Sequence, residues 1–266
     1  MSSAHSAEVT VHPTAVVEPG AELEPGVSVG PFCVVGRDVR LGAGTRLIAH
    51  ATVLGPTELG PDTLIFPYAT LGAAPQDRTF RGEPTRLVAG PGCVFREQVT
   101  VHRGTTKGTG ITRLGARCLL MAGAHVAHDC EIADDVVLTN LTTLGGHVIV
   151  QRGAVCGGQV AVAPYVRLGE LCFVAGGARV EHDVPPFMIA QGDRARVRAL
   201  NHVGITRASL PQASQDALKQ AFKIIFGKQM PRTEGRKVAA RELGHDPCVA
   251  RLLAFLEQGS RPRVGP

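Results

Sequence analysis

The 266-residue sequence has no tryptophan, two tyrosines and only 4% aromatics. Any core must therefore be aliphatic and built of small pieces, for which 44% hydrophobic residues suffice. No run of 18 apolar residues occurs, so no membrane-spanning helix is expected. The opening MSSAHSAEV has neither a charged n-region nor an apolar h-region, and no export signal is expected from it. The seven cysteines form no CxxC pair and no regular framework, which argues against a disulfide scaffold and fits a reduced cytoplasm. No Lys/Arg run is interleaved with aromatics, so nucleic acid is not the expected partner. The net charge of +5 is compatible with an ordinary soluble surface. It is equally compatible with an anionic partner: a nucleotide, a phosphopantetheine arm or an acidic carrier protein.

What is abundant is Gly (32) and Pro (18), set between aliphatic residues at a fixed period. Counting by six from Val11 gives Val17, Leu23, Val29, Val35, Leu41, Leu47, Val53, Leu59, Ile65 and Leu71, all aliphatic. Four places after each comes a small or β-branched residue, such as Ala15, Val27, Cys33, Thr45 or Ala69. A period of six fits neither a helix nor a two-faced strand. It fits a short strand plus a bend, three of which close an 18-residue triangular coil. Stacked coils then bury one continuous core, making a parallel β-helix. The frame breaks at GAAPQDRTFRGEPTR (loop near 73–87) and at HRGTTKGTGITR (near 102–113). It resumes at Leu114 and runs to Val180. Cys33, Cys93, Cys118, Cys130, Cys156 and Cys172 all fall at inward places and read as small core residues. The repeat ends near Val184-Pro185-Pro186. Helical spacing follows over 211–226, 233–244 and 246–259, with Gly227 as a stop and Asp246 as an N-cap. The expected division is a β-helix domain over 1–190 and a helical domain over 191–266, with a loose tail from Ser260.

The frame places the histidines. Val126 and Leu144 are 18 apart and stack, so His128 and His147 share an edge on adjacent coils. Allowing for the seven extra residues of the second insertion, Val101 stacks below Val126, and His102 joins that edge. Imidazole is the natural general base near neutral pH. Asp129 is placed to orient His128, and Gly145 and Gly146 offer N–H groups to an oxyanion. A zinc site built from the same histidines is the rival reading.

HPTAVVEPGA, GPFCVVG, QD with GEPTR, VTVHRGT, AHVAHDC, GGHV and DVPPFMIAQG followed by Asn201 together cover nearly the whole chain. With these motifs the sequence resembles the acyl-carrier-protein-dependent UDP-N-acetylglucosamine O-acyltransferases that begin lipid A synthesis. The resemblance implies an all-β left-handed parallel β-helix with a small C-terminal helical domain. It implies a cytoplasmic homotrimer with sites between subunits, and no metal or cofactor. It implies His128 as base for the sugar 3-hydroxyl, Asp129 as its support and Gly146 N–H as oxyanion donor. The donor would be an (R)-3-hydroxyacyl thioester of acyl carrier protein. Gln76, Asp77, His102, His125, His147, Asn201 and Arg207 would contact substrate, and Gly176 would limit chain length. The chain departs from the family pattern at Ala163-Pro164, where a His-Gln pair is usual. It also departs at Val203, where Glu is usual, and at Arg207-Ala208, where two arginines are usual. These departures make a relative using another nucleotide sugar or an acyl-CoA donor the alternative.

Overall fold

A computed structural model describes residues 8–227 and 229–259; the tail expected from Ser260 lies outside them. The hexads form strands two to five residues long, arranged in three parallel sheets of eleven, nine and eight strands. Consecutive coils pair 18 residues apart, as Val126 does with Leu144 and Leu144 with Val162. From Val29 onward the aliphatic places are buried, and so are the small places four residues later from Val27 on. The first coil is more open, with Val11 44% and Val16 54% exposed. All seven cysteines are buried thiols, six of them at their inward places in the repeat and Cys248 on the last helix.

The corners turn tightly at residues of positive φ, among them Asp38, Asp62, Asp129 and Asp135, near 60° each. Asp tolerates this left-handed conformation better than most side chains. Leu71 pairs with Val101, and Val101 with Val126, so both insertions leave the ladder without breaking it. Both loops prove shorter than the sequence suggests. Ala73 pairs with His102 and Arg86 with Ile111, so the strands claim their ends and only 74–85 and 103–110 are ejected. Both depart from the same corner, between the second sheet and the third.

The division expected at residue 190 falls inside the first sheet. Its last two strands, Met188–Gln191 and Arg196–Leu200, extend it with an antiparallel hairpin. Four helices follow among the described residues: α1 (His202–Arg207), α2 (Gln212–Phe226), α3 (Arg232–Leu243) and α4 (Pro247–Glu257). Asp246 caps α4 through the N–H groups of Cys248 and Val249, and Gly227 ends α2. α1 is too short, and too interrupted by Gly204, to show a period in the sequence. Leu218, Ala221, Ile225, Val249 and Leu252 form a second core with Leu171, Phe187 and Met188 of the solenoid. Arg167, 7% exposed, fastens the two parts. Its guanidinium is bidentate toward Asp183 Oδ2 (2.9 and 2.7 Å), donates to Gln258 Oε1 (2.7 Å) and lies over the Phe255 ring.

Candidate active site

The corner that ejects both loops also carries the histidines. The strand His125–Val126 brings up His128 and Asp129, and the strand Thr143–Leu144 brings up His147 one coil on. His147 N–H donates to the His128 carbonyl at 3.0 Å, fixing the two turns together. Their rings meet edge to face at 5.1 Å.

The side chains form two groups. In the upper one, His128 Nδ1 lies 2.9 Å from Asp129 Oδ2. His147 Nε2 is 3.8 Å from the same oxygen. An ionised carboxylate only accepts, so Nδ1 carries a proton, and in the neutral ring Nε2 keeps its lone pair. The ring packs against Gly146, where a Cβ would fall 2.7 Å from Cε1, 2.9 Å from Nε2 and 3.2 Å from Nδ1. Only a glycine leaves room for this imidazole. In the lower group, His102 meets His125 at 5.3 Å rather than stacking with His128 and His147. His102 Nδ1 lies 2.6 Å from the Ala74 carbonyl, holding the first loop. His125 Nδ1 bonds Thr100 Oγ1 at 2.8 Å. Burial, and then the charge of His102, lower the His125 pKa and favour its neutral ring.

Asp129 is buried, with 1% of its side chain exposed. Burial alone would raise its pKa. The hydrogen bonds from His128 and from the Thr105 hydroxyl and N–H, with the charge of His147, outweigh this and hold it below the usual carboxylate range. Thr112 Oγ1 accepts the Asp129 N–H at 2.8 Å. Cys130 takes no nucleophilic part: burial pushes its thiol up to about 12, and it donates to the Gly145 carbonyl. The two glycines differ. Gly145 N–H is committed to Val162 O at 2.9 Å, whereas among the described residues Gly146 N–H is not engaged by the protein backbone. Of the pair expected from the sequence, Gly146 alone can serve an oxyanion.

Of the remaining expected residues, Gln76 and Asp77 lie on the loop ejected from this corner, Gly176 lies at the corner between the first sheet and the second, and Asn201 lies beside Leu171 at the corner between the third sheet and the first. Gln76 is exposed on the first loop. Asp77 is held by Thr79 and reached by Lys107 Nζ at 3.1 Å. The Thr79 N–H and hydroxyl, then Lys107, hold its carboxyl well below the usual range. Asn201 is not a free substrate contact. Its Nδ2 donates to Leu171 O at 2.8 Å and its Oδ1 caps α1 at Gly204 N–H, so it acts by holding the helix that ends in Arg207. Arg207 and Gly176 are exposed; a Cβ at 176 would sit 3.3 Å from Gly158 O.

Four participants escaped the sequence reading. Tyr165 stacks on His147 at 4.5 Å with the rings nearly parallel, and its N–H holds the Gly146 carbonyl. Its signal was the 18-residue step from His147. Thr112 was one coil below Cys130, also within reach of the frame. Thr105 and Gly108 lie inside an insertion, where the frame predicts nothing.

The ligand atoms of His128, Asp129 and His147 lie within 4.8 Å of one another, a spacing that would suit a divalent ion. His128 and Asp129 are already joined by a hydrogen bond, and Asp129 Oδ2 also accepts from Thr105. A cavity of about 860 Å³ lies elsewhere, between the third sheet and α4, lined by Ile111, Ile149, Ala254 and Phe255. The histidine corner is not part of it.

Comparison with known proteins bears on this geometry. Residues 183–264 match the family model described as UDP-N-acetylglucosamine O-acyltransferase, domain 2. The chain is 42% identical to an acyl-(acyl-carrier-protein)–UDP-N-acetylglucosamine O-acyltransferase of Synechocystis sp., over 97% of this chain and 93% of that protein. It is 40% identical to the protein of the same name from Thermodesulfovibrio yellowstonii, over 94% and 97%. Among solved structures, the UDP-N-acetylglucosamine O-acyltransferase of Moraxella catarrhalis superposes with a TM-score of 0.89 at 32% identity, covering 96% of this chain and 99% of that one. The Bacteroides fragilis acyltransferase reaches 0.92 at 28%, covering 96% and 100%. The solenoid is the left-handed parallel β-helix of these structures.

Proposed function

The chain belongs to the acyl-(acyl-carrier-protein)–UDP-N-acetylglucosamine O-acyltransferases, and on that premise we propose that it moves an (R)-3-hydroxyacyl group from acyl carrier protein to the sugar 3-hydroxyl, opening lipid A synthesis. The alternative with another sugar or an acyl-CoA donor is not favoured, since both curated relatives are named for acyl carrier protein and UDP-N-acetylglucosamine. One observation supports the assignment of roles: the His128 ring packs on Gly146 while its Nδ1 is held by a buried carboxylate.

His128 Nε2 takes the proton of the sugar 3-hydroxyl as that oxygen attacks the thioester carbon. Asp129 holds the ring and stabilises the imidazolium that forms. The carbonyl oxygen becomes an oxyanion beside the Gly146 N–H. Collapse breaks the C–S bond, and the phosphopantetheine thiolate leaves with the proton from His128. Nothing else is consumed. Gln76, Asp77, His125 and His147 line the acceptor side, and Arg207, carried on α1, meets the nucleotide. Tyr165 follows the departure from the family pattern at Ala163-Pro164, and its ring packs face to face on His147.

A homotrimer in the cytoplasm fits this reading. The first sheet turns a column of partly exposed apolar side chains outward, including Leu64, Val94, Leu119, Val137, Val155 and Phe173. Such a column suits a subunit interface. The histidine ridge then becomes one wall of a cleft that a neighbouring subunit completes.

The test is direct. The purified protein, given an (R)-3-hydroxyacyl carrier-protein pool and UDP-N-acetylglucosamine, should yield the 3-O-acylated sugar by mass spectrometry. His128→Ala should lower kcat about 10²- to 10⁴-fold with the fold intact. Undiminished turnover in that variant rules out the assigned base.

A further inference from the structure

The eight residues ejected between His102 and Ile111 do not simply loop into solvent; they wrap the carboxylate of Asp129. Thr105 N–H lies 3.0 Å from both carboxylate oxygens, and the Thr105 hydroxyl donates to Oδ2 at 2.6 Å. Gly108 closes the opposite side. A Cβ there would fall 2.5 Å from Oδ1 and 2.6 Å from Cγ, so its backbone lies flush against the carboxylate. The turn that brings these two residues together is itself closed, because Gly108 and Gly110 both donate to the Thr105 carbonyl at 3.1 and 3.0 Å. Its outer end is tied to the first loop by Lys107 on Asp77. Thr112, just past the loop, holds the Asp129 N–H.

We infer that this insertion is a cradle for the catalytic carboxylate, in which Thr105 and Gly108 are positioning residues that aim Asp129 at His128 Nδ1. The inference rests on the reading of His128 as the base. Thr105 is 3% exposed and is walled off from substrate, so it acts only through Asp129.

The chemistry gives the cradle two effects that can be separated. Asp129 sits beside His128 in sequence and at a positive φ, so its side chain has no neighbouring turn of regular structure to hold it. Three donor contacts from Thr105 supply that restraint, and without them productive alignment becomes one of several. The Thr105 hydroxyl also shares Oδ2 with the imidazole. Losing it concentrates negative charge on that oxygen, which stabilises the imidazolium and keeps the base protonated to higher pH. Other charged or titratable groups near the carboxylate are few. His147 lies 3.8 Å from Oδ2, Lys107 is engaged by Asp77, Cys130 is a neutral thiol, and Glu131 points outward from the third sheet.

The experiment uses the full chain with Thr105→Val, Thr105→Ser, Gly108→Ala and His128→Ala. It measures kcat, the KM for UDP-N-acetylglucosamine and the acid limb of the pH–rate profile. A hydrogen bond to a charged group corresponds to roughly a tenfold to hundredfold change in rate. Thr105→Val should therefore lose about that much kcat, leave KM nearly unchanged and move the acid limb to higher pH. Thr105→Ser should restore both. Gly108→Ala should lower kcat with KM unchanged. If Thr105→Val does not fold, the Gly108→Ala measurement decides. Wild-type kcat and acid limb in Thr105→Val and Gly108→Ala, alongside an inactive His128→Ala, overturn the cradle and leave the base intact. Full activity in His128→Ala overturns the base reading, and the cradle with it.

Discussion

At the scale of single residues, the ridge depends on one absent methyl group and one buried charge. Gly146 lies beneath the His128 ring, and a side chain there would have to displace it. Gly146→Ala should lower kcat at least about tenfold, since misplacement by about 1 Å costs about a hundredfold. Wild-type kcat in that variant counts against the geometry. Asp129 gives a prediction in pH. A carboxyl depressed on folding contributes stability that is fully present above its unfolded value, about 4, and is lost as pH falls through its folded value. Asp129→Asn should therefore lower Tm at pH 7, and the gap to wild type should narrow between about pH 5 and pH 3. A gap that is constant across that range contradicts the depressed value. His128, Asp129 and His147 were legible from the 18-residue step because a strict solenoid turns sequence offset into spatial offset. Which glycine N–H is free was not, because that depends on whether each corner residue rejoins the ladder. The family resemblance cast Asn201 as a substrate contact, but its packing beneath Leu171 could not be seen from local spacing.

Among elements, the period of six located almost every strand, and helical spacing located α2 to α4. The frame failed only where chain leaves the coil. Its loop limits ran into strands by a residue or two at each end, since a run without aliphatic residues can still pair by its backbone. The joint between solenoid and helices was likewise invisible, being made by side chains 91 residues apart in the chain. There Arg167 joins Asp183 to the end of α4. Removing one partner of a buried ion pair leaves the other uncompensated and costs about 3–5 kcal/mol. Arg167→Ala should show a destabilisation of that size by denaturant titration, and adding Asp183→Asn should recover part of it. Additive losses in the double variant argue against a coupled pair.

Across the whole molecule, charge is segregated. Residues 191–266 hold 14 of the 28 Lys and Arg but only 6 of the 23 Asp and Glu. The positive excess thus lies in the C-terminal part of the sequence, which includes Arg207, and an acidic carrier protein would be attracted to it. Raising salt from about 0.05 to 0.3 M shortens the range of that attraction from over 10 Å to well under 10 Å. The KM for the acyl carrier protein should then rise more than the KM for UDP-N-acetylglucosamine; equal changes argue against electrostatic docking. The exposed first coil has a consequence of another kind. A stack whose layers touch only their neighbours comes apart from its ends, like a zipper, one tooth at a time. With Val11 and Val16 half bare, the first coil is the loose tooth. The strand that carries His125 is sixth of nine in its sheet, so fraying from either side must undo several layers before it reaches the base.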